Sequence, residues 1–241
     1  MKCEICGAEL DPVTLRCAAC GAKYTRVCLS CGRAMAAGEA KCAECSGEGL
    51  PGLDMTREEM LAEGIRCFIP YLNERDYRIW FGGNRDGGGG DFQNVRGYTR
   101  VPPRERVVLP ALVEGLPIYG VWNEFFCIGA EFAPDRREAV YARMAPIREI
   151  VLSNGIREVF TYSFFGCVGL ELLELPRSMI AMKNDFYDLF LDGEEPMGNG
   201  VKKSPLTIRY RGTAEEWGRV AVTSRFEEYV RMGCIRMEYL G

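Results

Sequence analysis

The chain has 241 residues, 47% of them hydrophobic and 27% charged, with a formal net charge of -4. That composition is globular, and the charge excludes the strongly basic balance of a nucleic-acid or membrane-surface binder. Histidine is absent, which excludes Ser-His-Asp and Cys-His catalysis and every metal site that needs imidazole.

The length accommodates one large domain or two smaller ones. No apolar run reaches the roughly 18 residues needed to span a bilayer. The opening segment, MKCEICGAEL, has no apolar core of the kind an export signal needs. The expectation is a soluble, cytoplasmic protein.

Eight of the twelve cysteines lie in the first 45 residues. They form four C-x-x-C pairs: Cys3/Cys6, Cys17/Cys20, Cys28/Cys31 and Cys42/Cys45. The second half repeats the first at an offset of 25, so that CEICG at 3–7 answers CLSCG at 28–32 and CAAC at 17–20 answers CAEC at 42–45. A C-x-x-C turn lets two thiolates face one metal at about 2.3 Å, and two such turns close a tetrahedral shell. A segment of about 20 residues buries no adequate core of its own, so metal binding would supply its folding energy.

Over residues 1–48 this array resembles a double zinc ribbon. The expectation is two structural Zn2+ ions, the first on Cys3, Cys6, Cys17 and Cys20, the second on Cys28, Cys31, Cys42 and Cys45. Four thiolates per ion leave no coordination position for water. Four disulfides in a secreted mini-domain are the competing reading, against which the knuckle spacing and the missing export signal argue. Tandem redox pairs without a βαβ context argue equally against thioredoxin-like chemistry. Residues 1–49 balance six Lys/Arg against six Asp/Glu. Each thiolate-saturated zinc then adds net negative charge, which disfavours phosphate backbones.

Residues 49–100 are expected to hold a linker, a short helix and a Gly-rich strand-loop segment that caps the C-terminal part of the chain. SGEGLPGLDMTR at 46–57 is rich in turn formers and reads as a linker. TREEMLAEG at 56–64 predicts a short helix capped by Thr56 and ended by Gly64. IRCFIPYL and DYRIWF alternate like strands. GGNRDGGGGD at 82–91 lacks the G-K-[ST] of a phosphate loop and reads as a flexible loop or hairpin tip, with Asp86 and Asp91 forming no site by themselves.

From residue 101 onward the chain repeats itself. VVLP, IVLS and LELP are short apolar strands, each ending in Pro or Ser. An apolar residue that can open a second turn comes after each, at Val121, Val159 and Met182, and an aromatic stands five residues later, at Phe126, Phe164 and Tyr187. The last two units are offset by 23 residues, within the range of leucine-rich repeats. Such a unit cannot bury its apolar face alone, but stacked copies can.

The stretch IVLSNGIREVFTYSFFGCVGLELLELP resembles the BspA-type leucine-rich repeat, whose unit ends in an aromatic-x-Gly-Cys turn before a Leu and a strand ending in Pro. LTIRYRGTAEEWGRV at 206–220 resembles the closing strand and tryptophan-bearing helix of such arrays, and VVLPALVEGLPIYGV at 107–121 their opening unit. The likeness spans roughly residues 101–220. It implies a multidomain chain: a small β-rich double ribbon, then a short α/β solenoid of short strands and helical turns over 101–241. The first unit departs from the pattern with CIG. A helix-like segment at 130–148 containing Pro134 interrupts it, and DLFLDGEEPMGNGVKKSP replaces the third turn.

Phe164, Phe165 and Cys167 are therefore expected in or near the core, with Gly166 allowing the turn. With no histidine to serve as base, Cys167 reads as structural, as do Cys67, Cys127 and Cys234. Trp217 reads as a packing residue and Thr213 as a helix cap with Glu216. Glu194 and Glu195 read as solvated loop acids, and RFEEYVRMGCIRMEYLG as a helix and final strand covering the last repeat. The functional expectation is a non-enzymatic protein–protein interaction or scaffold protein. The alternatives are a nucleic-acid-associated ribbon protein whose repeats recruit a partner, and an exported adhesion protein.

Overall fold

The computed structural model describes residues 1–62, 79–81, 104–121, 142, 144–160, 163–164, 166–184, 186, 189–190 and 205–241. In chain order the elements are β1 (Lys23–Cys28), β2 (Gly49–Met55), α1 (Arg57–Ala62), β3 (Ile79–Phe81), β4 (Arg106–Leu109), β5 (Leu112–Val113), β6 (Leu116–Val121), β7 (Glu149–Leu152), β8 (Glu158–Val159), β9 (Leu172–Leu175), β10 (Ala181–Met182), β11 (Leu206–Tyr210), α2 (Ala214–Trp217), β12 (Ala221–Val222), α3 (Ser224–Arg231) and β13 (Ile235–Tyr239). The fold is mixed and sheet-rich, with little helix.

VVLP, IVLS and LELP become β4, β7 and β9, and with β11 and β13 they form a five-stranded sheet paired in parallel throughout. Alternation along each strand sorts the side chains. Val107, Leu109, Ile150, Leu152, Leu173, Leu175 and Ile208 are buried inward. On the other face Val108, Val151, Glu174, Arg209 and Glu238 stand in register, one per strand.

The residues expected to open the second turn form a second parallel ladder. Val121 of β6 pairs with Val159 of β8, Val159 with Met182 of β10, and Met182 with Val222 of β12. All but Val222 are buried. This ladder continues through β5, antiparallel to β6, to β2 and then β1.

Phe164 and Cys167 are buried and Gly166 takes φ +82, as the turn requires. Phe164 stacks on Phe186 at 6.2 Å between ring centroids, and Phe186 reaches Phe226 at 6.5 Å. Trp217 packs on Tyr210 at 5.2 Å and on Phe226 at 5.8 Å. Cys234 is half-buried rather than fully buried, because it sits where α3 turns into edge strand β13. Cys67, Phe126, Cys127, Phe165, Tyr187, Glu194, Glu195, the helix-like segment around Pro134 and the loop at 82–91 lie outside the described residues.

The stretch expected to be a linker instead contains β2, a largely buried strand paired antiparallel to β1 from Gly49 to Asp54 and parallel to β5 at its end. Its Gly and Pro residues serve close packing. A Cβ on Gly52 would come within 2.4 Å of the Asn154 carbonyl oxygen, and the Pro51 carbonyl accepts from Asn154 Nδ2 at 3.0 Å. The cysteine-rich segment is thus wired into the second sheet.

Both predicted caps form. Thr56 accepts from the Glu59 N–H at 3.1 Å while the Glu59 carboxylate takes the Thr56 N–H at 2.6 Å. Thr213 and Glu216 make the same reciprocal pair at 3.1 and 2.9 Å. Thr213→Ala is expected to cost about 1 kcal/mol in a denaturant melt. Hydrogen bonds from Arg177 and the Thr213 N–H hold the Glu216 carboxyl below the usual range. A carboxyl depressed on folding stabilises above its unfolded pKa, and that contribution is lost as pH falls through the lowered folded value.

Candidate metal centre

The four C-x-x-C segments share one backbone turn. In each, the first cysteine N–H donates to the carbonyl five residues on: Cys3 to Ala8, Cys17 to Ala22, Cys28 to Arg33 and Cys42 to Gly47, at 2.7–2.9 Å. The residue after the second cysteine closes back onto the first cysteine's carbonyl, at 2.8–2.9 Å for Gly7, Gly21, Gly32 and Ser46. That residue has positive φ in every turn: +77, +77, +75 and, for Ser46, +58.

Glycine adopts this conformation freely and serine does not. Ser46→Gly is expected to stabilise the second ribbon by about 0.5–1 kcal/mol. Gly32→Ala is expected to cost about 1–2 kcal/mol, aggravated because a Cβ there meets the Gly155 carbonyl at 3.0 Å. A chelator titration of the metal-loaded chain reads both changes as shifts of its midpoint.

The turns bring together the residues that the sequence grouped. The sulfurs of Cys3, Cys6, Cys17 and Cys20 lie within 4.8 Å of one another, as do those of Cys28, Cys31, Cys42 and Cys45. Separations within the groups include 3.6 Å for Cys3–Cys20, 3.4 Å for Cys6–Cys17, 3.3 Å for Cys28–Cys45 and 3.9 Å for Cys31–Cys42. These are non-bonded separations, well beyond the roughly 2.05 Å of a disulfide. Each group is geometrically able to bind one metal ion. Among the described residues no third group forms.

The turns also aim donors at the sulfurs. The N–H groups of Ala8, Ala22, Arg33 and Gly47 point at Cys6, Cys20, Cys31 and Cys45. Hydrogen bonds from the Cys20 and Cys45 N–H groups lower the Cys17 and Cys42 thiols to about 7. Loss of water around the sulfur pushes Cys20 and Cys31 up to about 12. Four thiolates this close repel, so full ionisation of a quartet calls for a cation among them. A set of four sulfurs within reach of one ion fits zinc chemistry.

Sequence reasoning did not find the surroundings of the first group. Glu4, between Cys3 and Cys6, is buried. Its carboxylate pairs with Arg211 and accepts from Ser153 Oγ at 2.6 Å. Arg211 also holds Glu174 at 2.7 Å. Burial works against the Arg211 charge, but Glu4 and Glu174 more than offset it and raise its pKa. Arg106 of β4 donates to the carbonyls of Glu4 and, at 3.1 Å, Ile5. Ser153 and Arg211 stand on the same face of the five-stranded sheet as Val108 and Val151, so the first cysteine group lies over part of that face. A cleft of about 240 Å³ remains beside it, walled by Ile5, Met55, Arg104, Glu105, Arg106 and Val108.

No protein-family model, curated protein or solved structure matches the chain. Among the described residues no helix is long and apolar enough to cross a membrane.

Proposed function

We propose that the chain is a non-enzymatic interaction protein. Two structural zinc ribbons, on Cys3/Cys6/Cys17/Cys20 and Cys28/Cys31/Cys42/Cys45, are joined in it to a short solenoid of BspA-type repeats. The observation that carries the reading is the pair of parallel ladders, β4-β7-β9-β11-β13 and β6-β8-β10-β12, built by strands recurring along the sequence. Ladders of this kind present outward side chains as an extended surface. Fold alone does not fix function, and the step to partner binding rests on the likeness to such arrays.

The first ribbon already engages Ser153 and Arg211 through Glu4. The surface we assign to a protein partner is the remainder of that face, around Thr207, Arg209, Arg236 and Glu238. There Arg209 bridges Glu174 at 3.5 Å and Glu238 at 3.1 Å. Arg236 donates to Thr207 at 3.1 Å. A surface of alternating sign suits a protein of mixed charge better than a polyanion.

The test uses reduced, metal-loaded chain as bait in cytoplasm, with Thr207→Trp/Arg236→Glu as the paired control. The reading expects a partner held by the wild type and lost by the variant. Capture that is identical for both would contradict the surface. A salt-sensitive shift of DNA or RNA would favour the nucleic-acid alternative, and cysteines recovered as disulfides the exported one.

A further inference from the structure

The two thiol groups are near-copies at an offset of 25 residues, so their differences can be read position by position. Tyr24 of the first ribbon corresponds to Gly49, Glu4 to Leu29, and Ile5 to Ser30.

At the first group a hydrogen-bond chain runs from the sheets to a sulfur. The Leu53 N–H donates to Ser153 Oγ at 2.8 Å, and Ser153 Oγ donates to the Glu4 carboxylate at 2.6 Å. The Glu4 N–H donates to Tyr24 Oη at 2.6 Å, and Tyr24 Oη donates to Cys3 Sγ at 3.5 Å. Tyr24 is 3% exposed. The guanidinium of Arg211 compensates the charge that Glu4 adds beside four thiolates. Cys3 and Cys17 belong to the main apolar core of the molecule.

Among the described residues the second group has no counterpart to this chain. Gly49 offers no hydroxyl. The charged pairs beside its turns, Arg33 with Glu44 and Arg177 with Glu48, lie on the exposed surface. Cys28 and Cys42 share a small separate cluster with Met35.

We propose that the two centres are unequal by construction: the Tyr24 hydroxyl and the docked Glu4 are outer-shell groups that lock the metal at the first site, and the second site is the exchangeable one. The inference rests on the reading of both thiol groups as zinc sites. Partners in the second shell of a metal typically contribute 10–100-fold to its affinity, by holding ligands in place and tuning their donor strength. A hydroxyl on Cys3 Sγ and a carboxylate held by two separate elements do both. Metal can then leave the second ribbon while the first keeps its seat on the sheet.

The test is metal release from the full native chain to a chromophoric chelator, followed in time. Two phases of one metal each are expected, separated by at least about 10-fold in rate. The fast phase should vanish in Cys31→Ser/Cys45→Ser. Tyr24→Phe, which keeps the ring and removes only the hydroxyl, should speed the slow phase about 10-fold and leave the fast phase alone. In the cobalt(II)-substituted chain the same variant should shift the sulfur-to-cobalt charge-transfer band of the first site only, a signature that loosened packing would not give. A single release phase overturns the proposal. So does a slow phase and cobalt spectrum that Tyr24→Phe leaves unchanged. A chain that binds no metal is a different result, and sinks the zinc reading along with the inference.

Discussion

Stripping both metals with a strong chelator under reducing conditions is expected to unfold residues 1–48 and to expose apolar surface on the C-terminal sheets. A structural zinc in a thiolate site contributes about 10–16 kcal/mol of apparent binding energy at neutral pH, which in a segment this small is folding energy. The loss cannot stay local. β1 pairs with β2 along the whole of β1, and β2 continues the second sheet through β5. Val151 is buried in one apolar cluster with Cys3, Leu10, Cys17 and Tyr24. Circular dichroism should therefore lose β signal beyond the ribbons' own share, and re-addition of zinc should restore it. Because thiolates bind the metal and protons compete for them, release should become easier as pH falls.

The second large effect is expected at Arg211. Arg211→Met should destabilise the chain by about 3–5 kcal/mol, since removing one partner of a buried ion pair leaves the other charge uncompensated. The Glu4 side chain is only 7% exposed, and Arg211 is its ion-pair partner. Glu174 loses one of its two arginines, keeping Arg209 at 3.5 Å. The double variant Glu4→Gln/Arg211→Met should recover a substantial part of the loss, because the stranded charge is gone. Denaturant midpoints at an unchanged slope would show that stability, and not the extent of unfolding, has moved.

The candidate site was legible in the sequence where its logic is local. Two cysteines three residues apart, with a positive-φ residue next in the chain, form a turn that brings both sulfurs to one side, so the quartets could be grouped from spacing alone. The apolar strands and the Thr56 and Thr213 caps were legible for the same reason: a capping box spans four residues. β2 was not. Its glycines and proline have poor strand propensity, and only contact with the Asn154 loop, about a hundred residues away, explains why small residues stand there. Glu4 was invisible in another way. Between two cysteines it looks like a solvated spacer. Its partner Arg211 lies 207 residues downstream, and no pattern in the sequence links them. The seating of the first ribbon on the sheet comes from that pair.

The proposed architecture depends above all on what the eight N-terminal cysteines hold. Zinc-edge X-ray absorption on native chain, with metal content per polypeptide, decides this in one preparation. Two zinc ions per chain are expected, each with four sulfur neighbours at about 2.3 Å and no nitrogen or oxygen neighbour. Metal-free protein with the cysteines joined as disulfides, or a shell containing light-atom ligands, would rule out two all-thiolate zinc ribbons.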